Sequence, residues 1–184
     1  MPAPNHARGT GAAVVRLYVV RHAAAGSRSS WDGIDATRPL SGKGRRQATA
    51  LADRLGEAGI GRLVSSPAAR CVETLEPLGE RLGLTVDADS RLVEGARGED
   101  ALALADELRR DAGRNGDGRG RRRGRHEAVA LCSHGDVIPD LLHVLRAGST
   151  RIEDPLVWPK ASAWLVTWDG THWATASYLA PPQL

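Results

Sequence analysis

Three short apolar runs punctuate the chain at Val14–Val20, Ile60–Ser65 and Ala128–Cys132. Runs of this length, bounded by small and polar residues, predict strands buried on both faces. Between them the apolar positions change period. After Ser41, Ala48, Leu51, Ala52 and Leu55 fall on one helical face, so a helix is predicted from Ser41 through about Ala58, with Gly59 beyond its end. Ser66-Pro67 reads as the start of a second helix, Ser as N-cap and Pro at the first helical position. Leu75, Leu78 and Leu82 would form its apolar face, and Pro77 would kink it. A strand is predicted at Leu84–Val86, an irregular stretch at Asp89–Ala96, and helices at Asp100–Arg110 and about Asp136 to Arg146. Ala163–Trp168 and Thr171–Tyr178 flank Asp169-Gly170, the signature of a tight hairpin.

Strands that alternate with helices predict an α/β domain. Its central sheet would be largely parallel and flanked by helices in a three-layer sandwich. In such a sheet the C-terminal ends of the strands share one edge, and ligands bind outside it. The length of 184 residues suits one domain, predicted over 14–184. Residues 1–13 lack the apolar stretch of a signal peptide and read as a disordered leader. Residues 111–126, DAGRNGDGRGRRRGRH, read as a flexible Arg/Gly-rich loop.

Composition adjusts this picture in a few places. With no Phe and 4% aromatics, the core must be built from Leu, Val and Ala. The net charge of +3 comes from 23 Arg and 2 Lys, and Arg suits bidentate recognition of phosphate or carboxylate. Two cysteines, Cys71 and Cys132, make no disulfide framework, so a reducing cytoplasm is expected. No apolar run is long enough for a membrane span, and no membrane partner is expected.

The strand ends carry the chemistry. The first run exits onto Arg21-His22, the second onto a helix whose first turn holds Arg70, and the third onto Ser133-His134-Gly135. Parallel strands would bring two guanidiniums and two imidazoles to one edge, and Glu94 adds a carboxylate from the irregular segment. Such a cluster repels itself unless it holds a dianion. Guanidinium forks match phosphate oxygens, and a neutral imidazole can attack phosphorus. Nearby cations favour that neutral form.

Other chemistries fit less well. A Cys-x5-Arg phosphatase loop would need Arg at 77 or 138, which are Pro77 and Ile138. A metal is not expected, because the adjoining arginines oppose a second cation. Eight arginines between Arg109 and Arg125 raise a nucleic-acid-binding alternative. No aromatic interleaves them for base stacking, so a nucleic acid partner is not expected. A non-catalytic phosphoprotein-binding module is a third possibility, separable by turnover of an aryl phosphate.

The segments LYVVRHAAAG, LSGKGRRQA, LVSSPAARCVETLEPL, RLVEG and ALCSHGDVI, in this order across roughly residues 15–145, resemble the histidine phosphatase (phosphoglycerate mutase-like) superfamily. The chain is most similar to small bacterial phosphohistidine phosphatases and to the phosphatase domain that follows a MutT-type Nudix hydrolase. The tract DATRPLSGKG matches the small members, and the Nudix signature is absent. The resemblance implies a metal-independent phosphatase without a cofactor. Its nucleophile would be His22, its phosphoryl-binding residues Arg21, Arg70 and His134, and its proton donor Glu94. The substrate would be a phosphorylated small molecule, a nucleotide among them, or a phosphoprotein such as a phosphohistidine protein. Arg28 and Lys43 are candidates for the substrate's distal groups. Ala23 replaces the family's usual Gly, which predicts a tighter pocket. A mutase is disfavoured, because the chain lacks length for the insertions that close over a sugar phosphate.

Overall fold

The computed structural model describes residues 15–114 and 128–184. The predicted leader at 1–13 lies outside them, as does most of the predicted Arg/Gly loop. Seven strands form one sheet: β1 (Val15–Arg21), β2 (Ile60–Ser65), β3 (Val86–Ala88), β4 (Ala128–Ser133), β5 (Arg151–Ile152), β6 (Ala163–Trp168) and β7 (Trp173–Leu179). Four long helices cover it: α1 (Gly42–Leu55), α2 (Ala69–Leu82), α3 (Gly98–Arg114) and α4 (Val137–Ala147). Short 3-10 turns lie at Asp35–Thr37 and Ser90–Leu92.

The sheet order is β3-β2-β4-β1-β6-β7-β5. Strands β3, β2, β4 and β1 run parallel, whereas β6 is antiparallel to both β1 and β7. The sheet is therefore mixed and mostly parallel. Both faces of its centre are buried. On one face Leu17, Val19, Val129 and Leu131 pack with Leu104, Leu108, Ile138 and Leu141 of α3 and α4. On the other, Tyr18, Val20, Leu63 and Ala130 pack with Leu51, Leu55, Leu75 and Leu78 of α1 and α2. This two-sided burial is why β1 and β4 read as unbroken apolar runs.

Several boundaries moved for local reasons. Ser41 does cap α1, its hydroxyl accepting from Gly44 N at 3.1 Å. The helix stops at Leu55 rather than Ala58, and Gly59 adopts φ +70°. Gly44 allows a close approach: a Cβ there would lie 1.9 Å from Ala24 O. Helix α2 is capped at Ala68, not at Ser66. Its C-cap Gly83 is left-handed, and Leu84 N bonds back to Gly79 O, which delays the next strand to Val86. Pro77 sits within α2 without ending it. Helix α3 extends through Arg114, so 111–114 are helical rather than loop. The hairpin after β6 is longer than two residues, because Asp169 Oδ1 accepts from Thr171 N and His172 N and holds a wider turn. No described helix is long and apolar enough to cross a membrane.

Candidate active site

The C-terminal ends of β1, β2 and β4 deliver Arg21, Arg70 and His134 to one edge, as their parallel arrangement requires. A cavity of about 620 Å³ opens there. Arg21, His22, Arg28, Arg70, Glu94 and His134 all line it. Lys43 does not; it is exposed on the first turn of α1 and outside the cavity lining.

The loop after β1 is held at each successive residue. His22 N donates to Ser133 O at 3.0 Å, Ala23 N to Thr74 Oγ1 at 2.9 Å, and Ala24 N to Gln47 Oε1 at 3.0 Å. Ala23 is fully buried, and its φ is not positive, so its methyl adds no backbone strain.

The His22 ring is buried, and its Nδ1 lies 2.8 Å from Ala23 O. A carbonyl only accepts, so Nδ1 carries the hydrogen and Nε2 of the neutral ring keeps its lone pair. Burial is the main force that pushes the His22 pKa down to about 3. The Ala23 carbonyl opposes the shift, and His134, Arg70 and Arg21 add to it. Neutrality thus comes from desolvation first, and from neighbouring cations only second.

Two guanidiniums, those of half-buried Arg21 and buried Arg70, line the cavity with His22. Arg21 Nη1 donates to Trp158 O at 2.8 Å, and burial lowers its pKa despite Asp136 nearby. Arg70 is nearly inaccessible and pairs with Asp35 and Glu94 at 3.0 Å each. The Nε atoms of Arg21 and Arg70 are both buried, with no partner among the described residues. Such unpaired donors are costly unless a ligand oxygen meets them. Gly135 makes room for Arg21: a Cβ there would lie 2.7 Å from the guanidinium carbon.

His134 is buried, with Nε2 at 2.9 Å from Ser66 Oγ and Nδ1 at 3.4 Å from Arg70 Nη2. Ser66 Oγ also accepts from Ala68 N at 3.4 Å. A guanidinium only donates, so Nδ1 accepts from Arg70 and Nε2–H donates to the hydroxyl; a second hydrogen taken up at Nδ1 would make the ring a donor to an anionic oxygen. Ser66 serves the site rather than the helix cap assigned to it from sequence. Cys71 and Cys132 are both free and buried, and Cys71 Sγ lies 3.5 Å from His134 Nε2.

Glu94 sits at the rim because its segment is pinned to the β4–α4 junction. Ser133 Oγ donates to Leu92 O at 2.8 Å, Gly95 N to Asp136 Oδ2 at 2.7 Å, and Gly98 N to Asp140 Oδ2 at 2.6 Å. Arg28 reaches both carboxylate oxygens of Glu94, at 3.0 and 2.9 Å.

Sequence reasoning missed Asp35. Its carboxylate meets Arg38 at 2.9 Å, Arg70 at 3.0 Å and Arg28 at 3.1 Å. The Arg38 hydrogen bond leads the forces that hold its pKa down to about 2. Arg38 also donates to Gly26 O at 2.7 Å. The clue to Asp35 lay in DATRPLSGKG, three residues before Arg38. Trp158 and Lys160 also line the cavity and carried no signal in their own neighbourhood. Among the described residues, no group of three or more His, Cys, Asp and Glu is arranged to hold a metal ion.

Residues 17–117 match the sequence profile of the histidine phosphatase superfamily (branch 1). An 8-oxo-(d)GTP phosphatase of Mycolicibacterium smegmatis is 32% identical over 90% of this chain and 48% of its own length. A probable phosphoglycerate mutase GpmB of Shigella dysenteriae is 31% identical over 44% of this chain and 38% of its own. The chain thus spans about half or less of the length of these relatives. Among solved structures, the protein histidine phosphatase SixA complexed with tungstate superposes with a TM-score of 0.67 at 20% identity, covering 92% of this chain and 97% of that one. The mycobacterial glucosyl-3-phosphoglycerate phosphatase Rv2419c complexed with VO3 gives 0.66 at 24% identity, covering 92% and 100%. With the fold, the ordered motifs and more than half of the chain in agreement, the protein belongs to the histidine phosphatase superfamily.

Proposed function

We propose that the chain is a metal-independent phosphatase that works through a phosphohistidine on His22. The observation that carries this reading is the tautomer of His22: Nδ1–H is tied to Ala23 O, so Nε2 holds a free electron pair in a cavity lined by two guanidiniums with unpaired Nε–H groups. Nε2 attacks phosphorus, and the bond from phosphorus to the leaving oxygen breaks. Arg21, Arg70 and His134 stabilise the charge on the equatorial oxygens. Glu94 gives its proton to the leaving oxygen. Water then attacks phosphorus and passes a proton to Glu94; the P–N bond breaks, its electron pair returns to His22 Nε2, and phosphate departs. The arginines supply the positive charge that a metal would bring.

Phosphomonoesters and phosphoramidates such as phosphohistidine both fit this chemistry. The SixA and Rv2419c likenesses support tetrahedral phosphorus as the reacting group, since tungstate and VO3 were bound to those proteins. The test is inhibition of p-nitrophenyl phosphate turnover by vanadate, with EDTA present throughout. Competitive inhibition with full activity in chelator is expected. Activity lost to EDTA and restored by Zn²⁺ or Mg²⁺, or indifference to millimolar vanadate, would overturn the reading.

A further inference from the structure

A second cavity of about 490 Å³ adjoins the first, lined by Arg21, Leu156, Val157, Trp158 and Pro159. Arg21 and Trp158 line both cavities. The apolar walls are exposed: Leu156 is 42% and Val157 41% accessible. They are also held in place. Val157 O accepts from the buried Trp164 Nε1 at 3.1 Å, Trp158 O accepts from Arg21, and Ala161 N donates to Arg21 O at 3.1 Å. Apolar side chains fixed in water beside a polar reaction centre mark a binding surface.

The same segment carries Lys160, which lines the first cavity. Burial lowers its pKa first, followed by Arg21, Arg38 and Arg70, so its ammonium faces the same cationic cluster. Among the described residues no carboxylate pairs with it. The phosphatase mechanism has no use for it.

We propose that residues 156–160 form the leaving-group site, and that it takes a flat aromatic ring joined to the reacting phosphoryl through a second phosphate, the pattern of a nucleoside diphosphate. The ring enters the apolar lobe against Trp158 and Arg21, where a guanidinium also favours a π face. Lys160 meets the second phosphate. His22 takes the terminal phosphoryl: the Nε2–P bond forms, the bridging P–O bond breaks, and the nucleoside monophosphate leaves with the electron pair. Water completes the cycle. A ligand of this size suits the combined volume of the lobes. This site rests on the phosphatase reading above.

The experiment compares GDP, phenyl phosphate and glycerol 3-phosphate on the wild type, Leu156→Ser/Val157→Ser, Lys160→Met and Ile34→Ser. The first pair of positions is exposed, so folding is not at stake, and circular dichroism checks it. The double variant should raise KM about 10-fold for GDP and leave glycerol 3-phosphate unchanged, with phenyl phosphate, whose ring is bonded directly to the reacting phosphoryl, affected far less than GDP. Lys160→Met should raise KM about 5-fold for GDP alone. Ile34 is exposed but lines neither cavity, and its variant should behave as wild type. Equal effects on all three substrates, an effect of Ile34→Ser as large as that of the double variant, or turnover of glycerol 3-phosphate without GDP would overturn the leaving-group site and leave the phosphatase standing. No turnover of any of the three would instead overturn the phosphatase reading.

Discussion

The ring of His134 stands edge-on to that of His22, their centroids 5.4 Å apart and their planes inclined by 63°. The two imidazoles are neighbours in space with different partners. His22 Nδ1 is tied to a backbone carbonyl, whereas His134 meets a hydroxyl and a guanidinium. The first presents a lone pair at Nε2; the second accepts from Arg70 at Nδ1 and donates to Ser66 from Nε2.

Their variants should therefore diverge. His22→Ala should abolish both turnover and the acid-labile, base-stable phosphoryl label trapped by rapid quenching. His134→Ala should slow turnover by about 10²–10³, as loss of one oxyanion donor does, and still be labelled. Label on His134, or near-normal turnover by His22→Ala, would reverse the assignment.

Ser66→Ala should act through His134. Without the hydroxyl, Nε2–H loses its acceptor and the ring is no longer held against Arg70. A hydrogen bond of this kind contributes about 1 kcal/mol, so kcat should fall several-fold with KM little changed. The pH profile of kcat should shift too, which a mere packing defect would not produce. Ser66→Thr, which restores a hydroxyl, should recover part of the rate.

Glu94→Gln should hurt poor leaving groups more than good ones. An alkyl alkoxide needs a proton as its bond breaks, and general acid catalysis is typically worth about 10²–10⁴-fold. A nitrophenolate hardly needs one. Comparing kcat/KM for an alkyl phosphate and p-nitrophenyl phosphate decides it; equal losses would remove Glu94 from the acid role.

Gly135→Ala should disturb binding rather than folding. The new methyl would sit 2.7 Å from the Arg21 guanidinium. Arg21 must then swing away, and its charged hydrogen bonds to phosphate, worth about 1.5–3 kcal/mol each, weaken. An increase in KM of about 10-fold with an almost unchanged melting temperature is expected.

Acid should destabilise the protein through His22. The folded-state pKa is about 3, whereas the unfolded ring titrates near 6.5. Between these values the unfolded chain binds the extra proton, so stability is lost as pH falls through that window. The loss approaches about 1.4 kcal/mol per pH unit. His22→Ala lacks this contribution, so its unfolding free energy should decline less than that of the wild type between pH 7 and pH 4. Parallel decline in denaturant titrations would show that His22 is not buried neutral.

The centre of the parallel half was legible because β4, nearly all of β1 and most of β2 are buried on both sides. Val14–Val20, Ile60–Ser65 and Ala128–Cys132 carry their own apolar signal, and parallel pairing sends their ends to one edge. Arg21, His22, Arg70 and His134 are attached to those ends, so local sequence and a single topological rule were enough to group them. What the chain alone could not reveal comes from the antiparallel half. Because β6 runs against β1, it presents its N-terminal end at the site edge, and the segment before it, with Trp158 and Lys160, arrives there too. Nothing in the spacing of 156–160 encodes that reversal; it depends on which edge of β1 remained free for the β6–β7 hairpin. Asp35 and Ser66 were hidden for a related reason. Their roles consist of contacts with Arg70 and His134, far away in sequence, and a short polar side chain in a loop carries no periodic signal of what it will touch. The neutral state of His22 was expected from nearby charge, yet burial dominates it, and desolvation exists only once the layers have closed over the ring.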